Sequence, residues 1–113
     1  MISTFDFIIS FNEFSNNFEA LIDEAKTPQS EFDLFYTVLA KEFSAKQFEV
    51  RNALQTNTFD QNAIRDSLNK LMQDIERTRE VALNTFGKNS AYVFLNSLID
   101  LWNEFVKEIG PRD

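Results

Sequence analysis

The chain has 113 residues, a net charge of −7 at pH 7, and neither cysteine nor histidine. Without cysteine there are no disulfides and no thiolate chemistry, and without histidine the commonest general base and transition-metal ligand are missing. The acidic charge argues against a nucleic-acid partner, because phosphate contacts need a basic face. The 2 Gly and 2 Pro predict long uninterrupted helices, and the 13 Phe predict an aromatic core.

The amino-terminal stretch from Met1 to Phe14 contains acidic residues and no basic residue, so its pattern is not that of a signal peptide. No run of the sequence approaches the roughly 18 apolar residues that a membrane span needs. We therefore expect a cytoplasmic protein, or one exported without a cleaved leader, that has no membrane span.

A first helix is predicted from about residue 4 to 26, opened by the capping pattern of Ser3 and Asp6. The residues that follow a heptad rhythm on its main face are Phe7, Phe11, Phe14, Phe18, Leu21 and Ala25. Phe5 and Ile9 fall on another side of the helix, four residues apart. The start of this helix therefore has two apolar faces.

A second helix is predicted from about residue 29 to 55, because Thr27-Pro28 ends one helix and suits the start of the next. Its main apolar stripe is Phe32, Phe35, Tyr36, Leu39, Phe43, Val50, Ala53 and Leu54, on an arc that Lys46 interrupts. A second apolar line lies well round the helix and consists of Leu34, Val38, Ala45 and Phe48. Phe48 lies about 160° from Val50 on the helical wheel, so no single neighbouring helix covers both.

Two interpretations of this second line stay open. An offset first or third helix would cover it within the fold, or it contacts another molecule. In the second case Phe5 and Ile9 would extend the contact if the first helix lies alongside.

The third and fourth helices are predicted at about residues 61–86 and 90–109, with Gly87 ending the third in the left-handed conformation and Gly110-Pro111 ending the fourth. The third buries Ile64, Leu68, Leu71, Met72, Ile75, Ala82 and Phe86, and the fourth buries Ala91, Leu95, Leu98, Trp102, Phe105 and Ile109. Short links between four long helices predict one all-α domain over residues 1–113, an antiparallel up-down-up-down four-helix bundle with a Phe-rich core.

Two charged residues, Arg79 and Lys46, project toward apolar arcs. Counting from the turns of an antiparallel bundle places Arg79 level with Val38 and Asn96. One interpretation is that the aliphatic stem packs on the core while the charge reaches the edge. The other is a charge that holds the carboxylate of a ligand or partner, and Lys46 has the same two interpretations.

Nothing in the sequence predicts catalysis. A di-iron bundle needs inward Glu-x-x-His pairs, which a chain without histidine lacks. Acidic pairs such as Glu76 and Glu80 lie on outward faces, where carboxylates rarely acquire useful pKa values. We therefore predict no enzyme, and no catalytic, cofactor-binding or metal-binding residue.

The function that these patterns favour is binding to another protein, as a regulatory adaptor, inhibitor, chaperone or immunity-type factor that also forms a homodimer. The predicted interface residues are Leu34, Val38, Ala45, Phe48, Phe5 and Ile9. The alternative is an amphipathic coat protein that opens its bundle on a lipid or polymer surface, which the many Phe allow. A carboxylate-only metal enzyme is the least favoured alternative.

Overall fold

The structure, a computed structural model, describes residues 1–26 and 32–112. It has four helices, which are α1 (Thr4–Ala25), α2 (Asp33–Gln55), α3 (Gln61–Phe86) and α4 (Ser90–Ile109). They hold more than three quarters of the chain, and the described residues contain no strand. Successive helices are antiparallel, so the predicted all-α four-helix bundle is confirmed.

Three of the helices begin at side-chain caps whose residue types are recognisable in the sequence. The hydroxyl of Ser3 accepts a hydrogen bond of 3.1 Å from the backbone N–H of Asp6. Asp60 caps α3, and Asn89 caps α4 by accepting from the backbone N–H of Tyr92 at 3.0 Å. Each cap satisfies a backbone donor that has no partner within its own helix.

Of the two predicted boundaries around the first link, the end of the first helix agrees to within one residue and the start of the second helix was wrong. The first helix ends at Ala25, one residue early, because Lys26 has an extended backbone with ψ 110. The second helix begins at Asp33 rather than at residue 29, and Phe32 precedes it with a side chain that contains no acceptor for a cap. The predicted stop and start at Thr27-Pro28 lies outside the described residues.

Gly87 ends α3 as predicted but not in the predicted left-handed helical conformation. Its φ is 73° and its ψ is −158°, and Gly110 is similar at 76° and −176°. This region combines a positive φ with an extended ψ and is essentially restricted to glycine. The chain therefore leaves both helices extended, without a further helical turn.

The core is aromatic, as predicted, and joins α1, α2 and α4. The rings of Phe18 and Phe43 stack with centroids 4.1 Å apart, and those of Phe14 and Phe105 stack at 4.9 Å. Trp102 is buried against this cluster, with its ring centroid 5.9 Å from that of Phe14. Offset and edge-on pairs of this kind stabilise a core beyond the area that they bury.

The expectation that Phe86 is buried was wrong. Phe86 is the last residue of α3 and is mostly exposed, although the centroid of its ring lies 5.7 Å from that of Phe32. Helix ends extend past the neighbouring helices that would cover them.

Helix α4 packs closely along both α1 and α3, which accounts for its wide apolar stripe. Helix α2 approaches α1 and α3 at fewer points. This uneven packing leaves two features on the surface, the side of α2 that points away from the core and a groove between α1 and α2.

Candidate functional site

The second apolar line of α2 lies on the surface. Leu34 is 77% exposed, Val38 45% and Phe48 65%, and Ala45 is also exposed. We call these four residues the α2 outer face. Val50, on the opposite side of the helix, is buried in the core. Among the described residues, therefore, no offset first or third helix covers this line, as the first of the two interpretations required.

The charge around the α2 outer face differs from that of the chain as a whole. Helix α2 contains three acidic and three basic residues, whereas α1 contains five acidic and no basic residues. Most of the net charge of −7 therefore lies on α1. A surface formed by α2 therefore repels a second acidic protein less than a surface formed by α1 does.

Phe5 and Ile9 are also exposed but do not continue the α2 outer face. Gln47 donates a hydrogen bond of 2.6 Å to Glu19, which fixes the register of the antiparallel helices α1 and α2. That register places Phe48 level with the residue before Glu19, nine residues beyond Ile9. At 1.5 Å per residue the separation along the bundle is about 14 Å. Phe5 and Ile9 therefore form a second, separate patch.

Arg79 is held at the edge of the bundle by side chains of the protein. Its Nη1 donates to Oδ1 of Asn96 at 3.1 Å, and its Nη2 donates to Oε1 of Glu80 at 3.2 Å. The bond to Asn96 agrees with the register that the sequence predicted. The half-buried stem and the pairing of Nη1 and Nη2 match the interpretation in which the charge reaches the edge, while Nε is buried without a hydrogen-bond partner among the described residues.

Lys46 is likewise half-buried and paired. Its Nζ donates to the hydroxyl of Ser67 at 2.8 Å, and that hydroxyl donates to Glu49 at 2.8 Å. The chain of two hydrogen bonds joins α2 to α3. The ammonium group of Lys46 is thus engaged within the fold.

Arg65 was not among the predicted site residues, and it is a buried charge with 6% exposure. Its Nη2 donates to Oε1 of Gln61 at 2.7 Å, and its Nη1 donates to the carbonyl oxygen of Gly110 at 2.8 Å. Gln61 in turn donates to the carbonyl oxygen of Ile2 at 2.8 Å. The sequence does contain a signal for the burial of Arg65, because Gln61 and Arg65 continue the apolar line of Leu68 and Met72 at helical spacing.

The groove between α1 and α2 has a volume of about 570 Å³. Its apolar lining is Ile8, Phe11, Val50 and Leu54. Ser15 also lines it and is only 5% exposed, and its hydroxyl has no hydrogen-bond partner among the described residues. Ser15 was not among the predicted site residues, although it lies between Phe11 and Phe18 on the apolar stripe of α1.

No family model matches the chain, and neither a curated protein nor a solved structure matches it significantly. None of the four helices, over the residues described, has the length and apolar character needed to cross a membrane. Across residues 1–26 and 32–112, Asp and Glu side chains do not come together in groups of three or more that could hold a metal ion.

Proposed function

We propose that this protein is a non-enzymatic protein-interaction module that forms a homodimer through the α2 outer face. The observation that carries the proposal is the exposure of Leu34, Val38 and Phe48 at heptad-type spacing, on the side of α2 opposite the buried stripe. Apolar residues in such a line pair with the same line of a second helix. Scattered surface apolar residues would need no such explanation.

The size of the α2 outer face fits a small dimer interface. Its three large side chains present roughly 400 Å² of apolar surface, similar to the largest patch on a typical monomer. A dimer of standard size buries about 800 Å² on each partner, of which somewhat more than half is apolar. The α2 outer face would therefore supply most of the apolar area that a small dimer needs.

The charges of α2 are compatible with a second copy of the chain as the partner. Two molecules with a net charge of −7 repel each other, and the repulsion is smallest where both present a helix without net charge. Helix α2 meets that condition, since its three acidic and three basic residues balance. A two-fold axis would place each outer face against its own copy, which is the commonest arrangement of homodimers.

In this proposal the dimer is a cytoplasmic, regulatory protein that occupies the surface of another protein, in the manner of an adaptor, inhibitor, chaperone or immunity-type factor. The exposed patch of Phe5 and Ile9 is separate from the dimer contact and stays accessible to such a partner.

The coat-protein alternative agrees less well with the positions of the Phe residues. Seven of the 13 Phe are buried, namely Phe7, Phe11, Phe14, Phe18, Phe43, Phe94 and Phe105. Opening the bundle on a lipid or polymer surface would first remove these rings from each other. The α2 outer face contributes side chains that are already exposed, so its use requires no opening.

The test compares Phe48→Glu with Val81→Glu by light scattering and far-ultraviolet circular dichroism on the same samples. Val81, on α3, is 64% exposed and matches the 65% exposure of Phe48. We expect the parent and Val81→Glu to be dimers, and Phe48→Glu to be a folded monomer, because it places a charge in a desolvated contact.

Two outcomes would contradict the proposal. A parent protein that stays monomeric at high concentration excludes self-association. Loss of helix in Phe48→Glu assigns this face to the fold instead, because substitution at a solvent-facing position changes stability by only about 0.5 kcal/mol.

A further inference from the structure

The buried hydroxyl of Ser15 is unusual for a helical serine in this protein. Helical Ser and Thr hydroxyls commonly donate to the carbonyl oxygen four residues earlier, as Thr37 and Ser97 do here at 2.9 and 3.0 Å. The hydroxyl of Ser15 has no such partner in the described part of the chain. A buried polar group without a hydrogen bond is unfavourable, so the hydroxyl of Ser15 would gain from a polar group bound in the groove that this residue lines.

A second unpaired group lies across the groove at the same level. The hydrogen bond between Glu19 and Gln47 sets the antiparallel register, and four residues from it in each helix come Ser15 and Arg51. Arg51 lines the groove, and its guanidinium makes no hydrogen bond or ion pair with the residues described. Ser15 on α1 and Arg51 on α2 therefore line one groove from opposite walls, at the same level along the bundle.

Two amide side chains add donors to the same space. Asn12 and Asn16 line the groove three residues before and one residue after Ser15. Each carries an NH₂ group, so the residues that line the middle of the groove include hydroxyl, guanidinium and amide donors. Such a set suits the oxygens of an anion, and a guanidinium matches the planar fork of a carboxylate.

The charge of the groove limits which anion it accepts. Arg51 is the only basic residue in the lining, and Glu19 lies one helical turn beyond Ser15. A monoanion would be neutralised by Arg51. A phosphate dianion would keep an uncompensated charge beside the Glu19 carboxylate, which is unfavourable.

We propose that the groove between α1 and α2 binds a small organic monocarboxylate. Its carboxylate lies between Ser15 and Arg51, and its apolar body extends over Ile8 and Leu54 toward the amino terminus of α1. Ile8 is seven residues from Ser15, about 10 Å along the helix, which accommodates a short alkyl chain. The site shares no residue with the α2 outer face, so it does not depend on the proposed dimer.

The test is a nuclear magnetic resonance titration of the full chain with sodium hexanoate at constant ionic strength. We expect saturable amide shifts in the millimolar range, confined to residues 12–19 and 47–54. Arg51→Gln should weaken binding about tenfold or more, because it removes the charge opposite the carboxylate. Lys70→Gln, which removes an exposed charge from α3, should bind like the parent.

Ser15→Ala separates a ligand-binding hydroxyl from a structural one. Because the hydroxyl is unpaired, its removal should leave the melting temperature unchanged or raise it, while hexanoate binding weakens severalfold. A lower melting temperature with unchanged binding would show that the hydroxyl serves the fold, and would overturn its assignment to the ligand.

Two further ligands test the chemistry of the head group. Hexanol keeps the alkyl chain without the charge and should not bind in the same concentration range. Hexyl phosphate should bind more weakly than hexanoate, because of the second negative charge. Absence of saturable binding, equal affinity in Arg51→Gln, or tighter binding of hexyl phosphate would each overturn the proposal.

Discussion

The guanidinium of Arg65, near the start of α3, donates a hydrogen bond of 2.8 Å to the carbonyl oxygen of Gly110, just after the end of α4. A second bond of 3.3 Å reaches the carbonyl oxygen of Ile109. A cation at a helix carboxyl end is favoured by the helix dipole and satisfies carbonyl groups that have no partner within the helix. Through Gln61 and Ile2 the same cluster includes the amino-terminal segment.

Arg65→Met should destabilise the protein by about 2 to 3 kcal/mol, because it leaves Gln61 and the last carbonyls of α4 without their donor. Chemical denaturation followed by circular dichroism at 222 nm measures this difference. A change within 0.5 kcal/mol of the parent, roughly the range of surface substitutions, would mean that water replaces the guanidinium at little cost.

Arg79→Met should cost less than about 1 kcal/mol, since methionine retains the packing of the stem and the groups that lose their donor can reach water at the bundle edge. The same denaturation experiment applies, with Arg65→Met as the buried counterpart. Equal losses in the two variants would show that Arg79 holds a buried anion and that its edge position is misjudged.

Trp102→Ala should destabilise the protein by about 3 to 5 kcal/mol, because it leaves a cavity beside Phe14 and Phe105. Thermal melting measures the loss. Trp102 is the only tryptophan, so the parent's fluorescence reports this site and should be blue-shifted. A variant that melts within a degree or two of the parent would place Trp102 outside the core.

Alkaline pH should destabilise the protein through Tyr36. Burial raises the pKa of Tyr36 above its ordinary value of 10.0, and its ring centroid lies 4.8 Å from that of Phe94. The raised pKa means that the folded state favours the neutral phenol of Tyr36. The contribution of this residue to the free energy of unfolding is therefore complete below pH 10 and is lost as the pH rises above it. Tyr36→Phe should be less sensitive between pH 10 and 11 when the free energy of unfolding is measured. Parallel pH profiles for parent and variant would contradict this assignment.

The sequence predicts most of the fold because its signals are local. Ser3, Asn89 and the two glycines mark helix ends within a few residues of the backbone groups that they serve. The start of α2 was misplaced because Phe32, the residue before it, has no side-chain acceptor, so the sequence carries no capping signal for a start at Asp33. Local signals predict that a helix exists more reliably than they predict the residue at which it begins.

The polar contacts between helices were harder to predict because the two partners are distant in sequence. Arg65 meets Gly110 across 45 residues, and Glu19 meets Gln47 across 28. A helical wheel shows Ser15 and Arg65 on apolar arcs but does not show which group faces them. The α2 outer face was predicted from one helix alone, because Leu34 and Phe48 lie so far round from the core stripe.

The sparse packing of α2 against its neighbours gives this helix a lower local stability than α4, which lies between α1 and α3. Amide hydrogens of α2 should therefore exchange with solvent through partial opening, while those of α4 exchange only through global unfolding. If α2 is also the dimer contact, association suppresses the partial opening of the least stable helix. Its exchange rates then depend on protein concentration, and dilution alone would release α2 before the rest of the bundle unfolds.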